Sequence, residues 1–105
     1  MEIENITCIF NSGRSAEKVK NYHEAVRLYK LAAEKDHPKA QYNLARLMET
    51  GYQDVPPNIE EAVRFYNMAT QKKCMFSYYA LSRIYYNRND MERYLHCTIE
   101  ASKLD

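Results

Sequence analysis

Tryptophan is absent from this 105-residue chain, glycine occurs twice and proline three times. So few backbone breakers argue against a turn-rich all-β architecture and leave long stretches free to remain helical. Cysteine is also scarce. Cys8, Cys74 and Cys97 are odd in number, lie far apart and contain no C-x-x-C pair. This argues against a disulfide framework and favours a reducing, cytoplasmic setting. Neither charge is in excess, with 15 basic and 14 acidic residues, so no global grip on nucleic acid or membrane is expected, although a local basic patch stays open. No apolar run reaches membrane-spanning length, and Met1-Glu2-Ile3-Glu4 is acidic where a signal peptide would be basic and then apolar. Asn5-Ile6-Thr7 matches a glycosylation sequon but has no export signal beside it.

What the chain does have is itself, twice. When Asn21–Thr50 is laid over Asn58–Asn87, a shift of 37, eleven of thirty pairs are identical. They include Glu24/Glu61, Ala25/Ala62, Val26/Val63, Tyr29/Tyr66, Ala32/Ala69, Tyr42/Tyr79, Leu44/Leu81 and Arg46/Arg83. Self-similarity at such a period marks a stacked array of short units, which cannot bury their apolar faces alone.

Each unit divides into two helices. Pro38 suits a first helical turn, Ala40, Leu44, Leu47 and Met48 recur at helical spacing, and Gly51 ends the run at Thr50. Tyr52–Pro57 is a loop stiffened by two prolines. Asn58 is an N-cap whose backbone Glu61 can reach, before the stripe Ala62, Val63, Phe65, Tyr66 and Ala69. Asn21 with Glu24 repeats that cap, and Asn89 with Glu92 offers a third. Met75–Asn87 repeats the first helix, with Leu81, Ile84 and Tyr85 inward. The last helix covers about Asp90–Lys103, its register open by one residue, since its apolar residues match better with Tyr94 in place of Ala62 and Ala101 in place of Ala69. At a shift of 38, Ile6, Ile9, Phe10 and Gly13 fall on Leu44, Leu47, Met48 and Gly51. Glu2–Asn11 is then a degenerate first helix and Arg14–Lys20 its loop, unless Ser15-Ala16-Glu17 starts the next helix early.

In the order of these residues the chain resembles the Sel-1-like repeat family, relatives of the tetratricopeptide repeat. The family unit reads A-x-x-x-L-G-x-x-Y-x-x-G, a loop, then D-x-x-x-A-x-x-W-Y-x-x-A-A. The central unit supplies Ala40, Leu44, Ala45, Met48, Gly51, Asn58, Ala62, Phe65, Tyr66, Ala69 and Thr70. Ala45 and Ser82 replace one family glycine, and Asp36 and Lys73 stand where the family has glycine between units. The resemblance implies an all-α, right-handed solenoid of three helix-turn-helix units, about 1–37, 38–74 and 75–105, forming one domain. It further implies a non-catalytic protein-interaction module.

Catalytic constellations are missing. His23, His37 and His96 follow no metal-ligand spacing, and no G-x-S-x-G, phosphate-cradling Gly loop or H-E-x-x-H occurs. No catalytic residue, metal or cofactor is expected. His37 and Cys74, 37 apart, read as equivalent solvated turn positions. By the resemblance, first helices line a concave strip of Lys39, Tyr42, Asn43, Arg46 and Glu49, then Phe76, Tyr79, Ala80, Arg83 and Tyr86. Tyr and Arg dominate binding hot spots, and Arg captures carboxylates. Two readings stand side by side. Either Tyr42, Tyr79, Tyr86 and Phe76 hold a protein or peptide segment while Arg46, Arg83 and Lys39 select acidic groups, or the arginines pair with local acids and the tyrosines fill contacts between units. An alternative function is self-association through the terminal helix, at Tyr94, Leu95 and Leu104. Neither nucleic acid nor membrane is expected as a partner.

Overall fold

The computed structural model describes residues 2–104, with side chains from residue 5 onward. Among these, six helices follow one another: α1 (Glu2–Lys18), α2 (Tyr22–Ala33), α3 (Pro38–Thr50), α4 (Ile59–Thr70), α5 (Met75–Asn87) and α6 (Met91–Ser102). Each packs mainly on its sequence neighbours, most closely within the pairs α1/α2, α3/α4 and α5/α6. The result is the all-α solenoid of three helical hairpins that the repeat predicts, measuring 38 × 34 × 19 Å.

Small residues make the close contacts. Ala25, Ala32, Ala33, Ala40, Ala45, Ala62 and Ala69 are all fully buried, and Tyr29, Tyr66, Phe65, Leu44 and Leu81 fill the remaining space. Alanine at a helix crossing lets backbones approach, and the large rings then occupy the gaps on either side. Tyr85 is half-buried against the same core.

Every short turn between helices uses one backbone device. Lys20, Asp36, Lys73 and Asn89 all have φ near +60°. Around Asp36, the Asp36 amide donates to Ala33 and the His37 amide to Ala32, and the other three turns repeat this pattern. This is the Schellman closure, which satisfies the last helical carbonyls. The missing family glycines at Asp36 and Lys73 therefore do not alter the turn. The longer α3–α4 connection starts at Gly51 (φ 76°), where a Cβ would lie 2.8 Å from Pro57 N and 2.9 Å from the Val55 carbonyl. Tyr52 and Val55 then exchange backbone hydrogen bonds, and the Asn58 amide returns to Met48.

Several expectations are corrected. Helix α1 does not end near Asn11 but continues to Lys18, with no loop at Arg14. Gly13 is not a helix stop. It lies buried inside α1, where a Cβ would come within 2.8 Å of the Tyr29 ring. Asn21 makes no side-chain cap bond, whereas Asn58 Oδ1 accepts from the Glu61 amide at 3.1 Å. The Glu24 and Glu61 side chains do not reach back to the cap, because they pair with Arg27 and Arg64 one turn on. Asn89 occupies the left-handed turn, so the cap of α6 passes to Asp90, which accepts from the Arg93 amide. That choice fixes the register with Tyr94 at the Ala62 position and buried Ala101 at that of Ala69. His37 is not a solvated turn residue. Its Nδ1 caps α3 by accepting from the Ala40 amide at 3.2 Å, and its ring lies 4.6 Å from that of Phe10.

Candidate functional site

The first helices α1, α3 and α5 share one cleft of about 550 Å³. Its walls are apolar: Phe10 from α1, Pro38 and Tyr42 from α3, and Met75 and Phe76 from α5. Phe76 is 68% exposed although its ring lies only 5.8 Å from that of Tyr42. Tyr42 in turn sits 5.8 Å from the buried ring of Tyr66. A half-buried ring on the core thus supports an open one, and exposed aromatic surface of this kind costs hydration unless something covers it.

The predicted strip divides in three. Lys39, Tyr42, Asn43 and Phe76 line the cleft. Arg46 lies in an adjoining polar recess that is also lined by Glu17 and shares Arg14 and Asn43 with the cleft. Tyr79, Arg83 and Tyr86 stand outside both, with Tyr79 48% and Tyr86 56% exposed. Tyr86 meets Tyr94 edge to face. Ala80 is buried and belongs to the core. Phe10, Arg14, Pro38, Lys72, Cys74 and Met75 complete the cleft and were not anticipated there. Phe10 is a core residue, as its match to Met48 at the shift of 38 implied, and it also lines the cleft. Lys72 repeats Lys35, but it lies in a turn, which helical periodicity does not place beside the first helices.

Arg46 and Arg83 have structural partners. Arg46 Nη2 donates to Glu17 Oε2 at 2.6 Å, while the Tyr29 hydroxyl donates to Glu17 Oε1 at 2.8 Å. One unit later, Arg83 grips Glu49 with both terminal nitrogens, and Tyr66 donates to Glu49 Oε1 at 2.8 Å. Each clasp joins a carboxylate and a tyrosine of one unit to an arginine of the next. Burial, and then the bond to its carboxylate, drive the titration of Tyr29 and Tyr66 far above the ordinary tyrosine range. Burial pushes the Glu49 carboxyl up, but Arg83 and Tyr66 outweigh it, so Glu49 titrates below its ordinary value. Partly desolvated, charge-assisted bonds of this kind hold geometry more firmly than surface ion pairs.

A second repeated bond uses different residues. Gln41 Nε2 donates to the Ala33 carbonyl at 3.0 Å, and 37 residues on the Tyr78 hydroxyl lies 3.4 Å from the Thr70 carbonyl. Among the described residues no group of three His, Cys, Asp or Glu is placed to hold a metal ion, and no helix is long and apolar enough to cross a membrane.

Comparison with known proteins agrees with this architecture. In fold the chain is similar to the crystal structure of a protective antigen present in uropathogenic Escherichia coli strains, which displays an SLR fold. The TM-score is 0.88 at 23% identity, over 97% of this chain but only 23% of that one. No curated protein matches the sequence significantly. The Sel1 repeat profile matches twice, over residues 10–37 and 38–74, and the chain therefore belongs to the Sel1 repeat family.

Proposed function

We infer that this chain, as Sel1 repeats generally do, serves in protein interaction. We propose that this chain is a non-catalytic adaptor that holds a segment of a partner protein against the face built by α1, α3 and α5. The observation that carries the reading is the exposed Phe76 ring beside Tyr42 in an apolar cleft spanning three units. Tyr79 and Tyr86 extend the same surface toward the chain's end. Rigid aromatic side chains lose little entropy on binding and contribute large contact area, which is why they anchor interfaces. Arg46 and Arg83 hold the curvature of this face through their clasps while leaving guanidinium edges at its border. A photo-crosslinker placed at Phe76 should capture one defined protein, and Tyr79→Ala together with Tyr86→Ala should weaken that capture. A crosslinker at Leu31, exposed on α2, should not capture it. Equal capture from both positions would reject the reading.

A separate observation supports self-association. Met91, Leu95 and Ile99 on α6 are 41%, 55% and 53% exposed and fall on one helical face. Their counterparts in α4 include Ile59 and Val63, which pack against the core; Val63 faces the next unit across a cleft shared with Tyr85, Arg93 and Cys97. The row on α6 thus repeats a face that α4 turns toward its neighbours. We take its occupant to be α6 of a second copy, running antiparallel with Leu95 on the two-fold axis. Sedimentation should show a concentration-dependent dimer that Leu95→Glu abolishes; a strictly monomeric wild type at high concentration would dismiss it.

A further inference from the structure

Cations without a carboxylate partner gather around the α1/α3/α5 cleft. Three cations border it, Arg14 on α1, Lys39 on α3 and Lys72 in the turn before α5, and its lining contains no carboxylate. Elsewhere arginines find acids: Arg27 with Glu24, Arg46 with Glu17, Arg64 with Glu61, Arg83 with Glu49, Arg88 with Glu60 and Arg93 with Asp90. Arg14, Lys39 and Lys72 form no ion pair with any carboxylate among the described residues. The Arg14 guanidinium instead lies 5.9 Å from the Phe10 ring. In a chain of net charge +1, three unneutralised cations gathered around one apolar cleft, Arg14 from the first unit and Lys39 and Lys72 from the two ends of the second, constitute a local field of one sign. The positive charge also lowers the titration of neighbouring His37, second to burial, through Lys39.

Resting on the interaction reading above, we infer that the partner segment is acidic: an apolar or aromatic side chain seats among Phe10, Tyr42, Met75 and Phe76, and flanking Asp or Glu carboxylates meet Arg14, Lys39 and Lys72. The selecting charges are therefore not Arg46 and Arg83, whose guanidiniums already hold Glu17 and Glu49. Aligned opposite charges at the rim of an interface speed encounter and fix register, while the buried anchor provides most of the residence time. A protein segment fits better than a nucleic-acid strand. The cations ring a single cleft instead of tracking a backbone, and the next two aromatics along the face, Tyr79 and Tyr86, lie beside Arg83, which is neutralised by Glu49.

The test uses the whole chain and four fluorescent probes: short peptides with a central Leu-Phe flanked by Asp/Glu, by Ser or by Lys, and a single-stranded oligothymidine. The acidic peptide should bind at least about tenfold more tightly than the Ser peptide and weaken as salt rises, while the Lys peptide should be excluded. The variant Arg14→Glu/Lys39→Glu/Lys72→Glu changes only exposed side chains, and circular dichroism should show it folded. It should lose the preference for acid or reverse it, whereas Phe76→Ala should weaken the acidic and Ser peptides alike. Acidic and Ser peptides binding equally, both sensitive to Phe76→Ala, would overturn the charge assignment and leave the interaction cleft standing. Preferential binding of the oligothymidine would overturn the assignment to a peptide. No binding by any probe up to about 1 mM would overturn both this inference and the reading it rests on.

Discussion

At the level of single residues, this array builds glycine-type turns without glycine. Lys20, Asp36, Lys73 and Asn89 all adopt a left-handed backbone. For an L-residue with a side chain that conformation costs about 1–2 kcal/mol, with Asn and Asp at the lower end. The four turns persist because the helices on both sides over-determine them through the paired carbonyl bonds. Glycine would remove the steric cost while adding about 0.5–1 kcal/mol of chain entropy to lose. Lys73→Gly should therefore stabilise the fold by up to about 1 kcal/mol, and Asp36→Gly by less, raising Tm by a few degrees in a thermal melt. A lowered Tm for Lys73→Gly would mean that its side chain contributes more than its backbone costs. Gly51 differs in kind. There a side chain meets the backbone of Val55 and Pro57, which cannot move without unfolding the loop.

Helices and their joints carry the pH response. His37 has its titration lowered by burial and by Lys39, so the folded state favours the neutral ring whose Nδ1 caps α3. The unfolded chain takes up a proton first as pH falls through the ordinary value of 6.5. Stability from this group is therefore full above that value and is lost as pH falls toward the lower folded value. Glu49 is also lowered, so its contribution is full above the ordinary value of 4.5 and is lost as pH falls through its folded value. Tm plotted against pH should then decline in two windows, one beginning near 6.5 and one near 4.5. His37→Asn, which retains a cap acceptor, should flatten the upper decline, and Glu49→Gln the lower. A wild-type profile flat from pH 7 to about 5 would remove His37 from this role. The periodic sequence made α3, α4 and α5 legible almost to the residue, because Pro38, Gly51, Asn58 and the Ala/Leu/Tyr stripe all agree there. Helix α1 was not, since Gly13 mimics the stop at Gly51 while serving as a close approach to Tyr29. The clasps were hidden for a related reason. Tyr29 and Tyr66 keep the 37-residue shift, but their carboxylates Glu17 and Glu49 are 32 apart, because the first unit connects its helices by a shorter turn. Four of the ten residues of the predicted surface strip line the cleft. Of the cations that border it, Arg14 lies where a loop was expected, and Lys72 repeats Lys35 but sits in a turn, which helical periodicity does not place.

For the whole molecule, contacts run almost entirely between neighbours in sequence, so stability is approximately the sum of the three hairpins and the two joints between them. The joints are not alike. Tyr86 occupies the position of Glu49 in the third unit, and Thr98 that of Tyr66, so no further clasp of this type can form beyond α6. The central unit is different, because it holds both halves of the clasp: Arg46 to receive from the unit before, Glu49 and Tyr66 to offer to the unit after. In the language of carpentry it is a plank with a tongue on one edge and the matching groove on the other. A second copy of residues 38–74 spliced in after Cys74 would present its own Arg46 where Arg83 now stands, its Gln41 to the Thr70 carbonyl in place of Tyr78, and its Ala40 where Ser77 is buried. The lengthened chain should fold with one more hairpin and a higher Tm than the parent. Duplicating residues 75–105 instead should give no such gain, because Tyr86 offers the incoming arginine no carboxylate. Length in this protein is thus an adjustable quantity, and the middle unit is the one that can be counted out more than once.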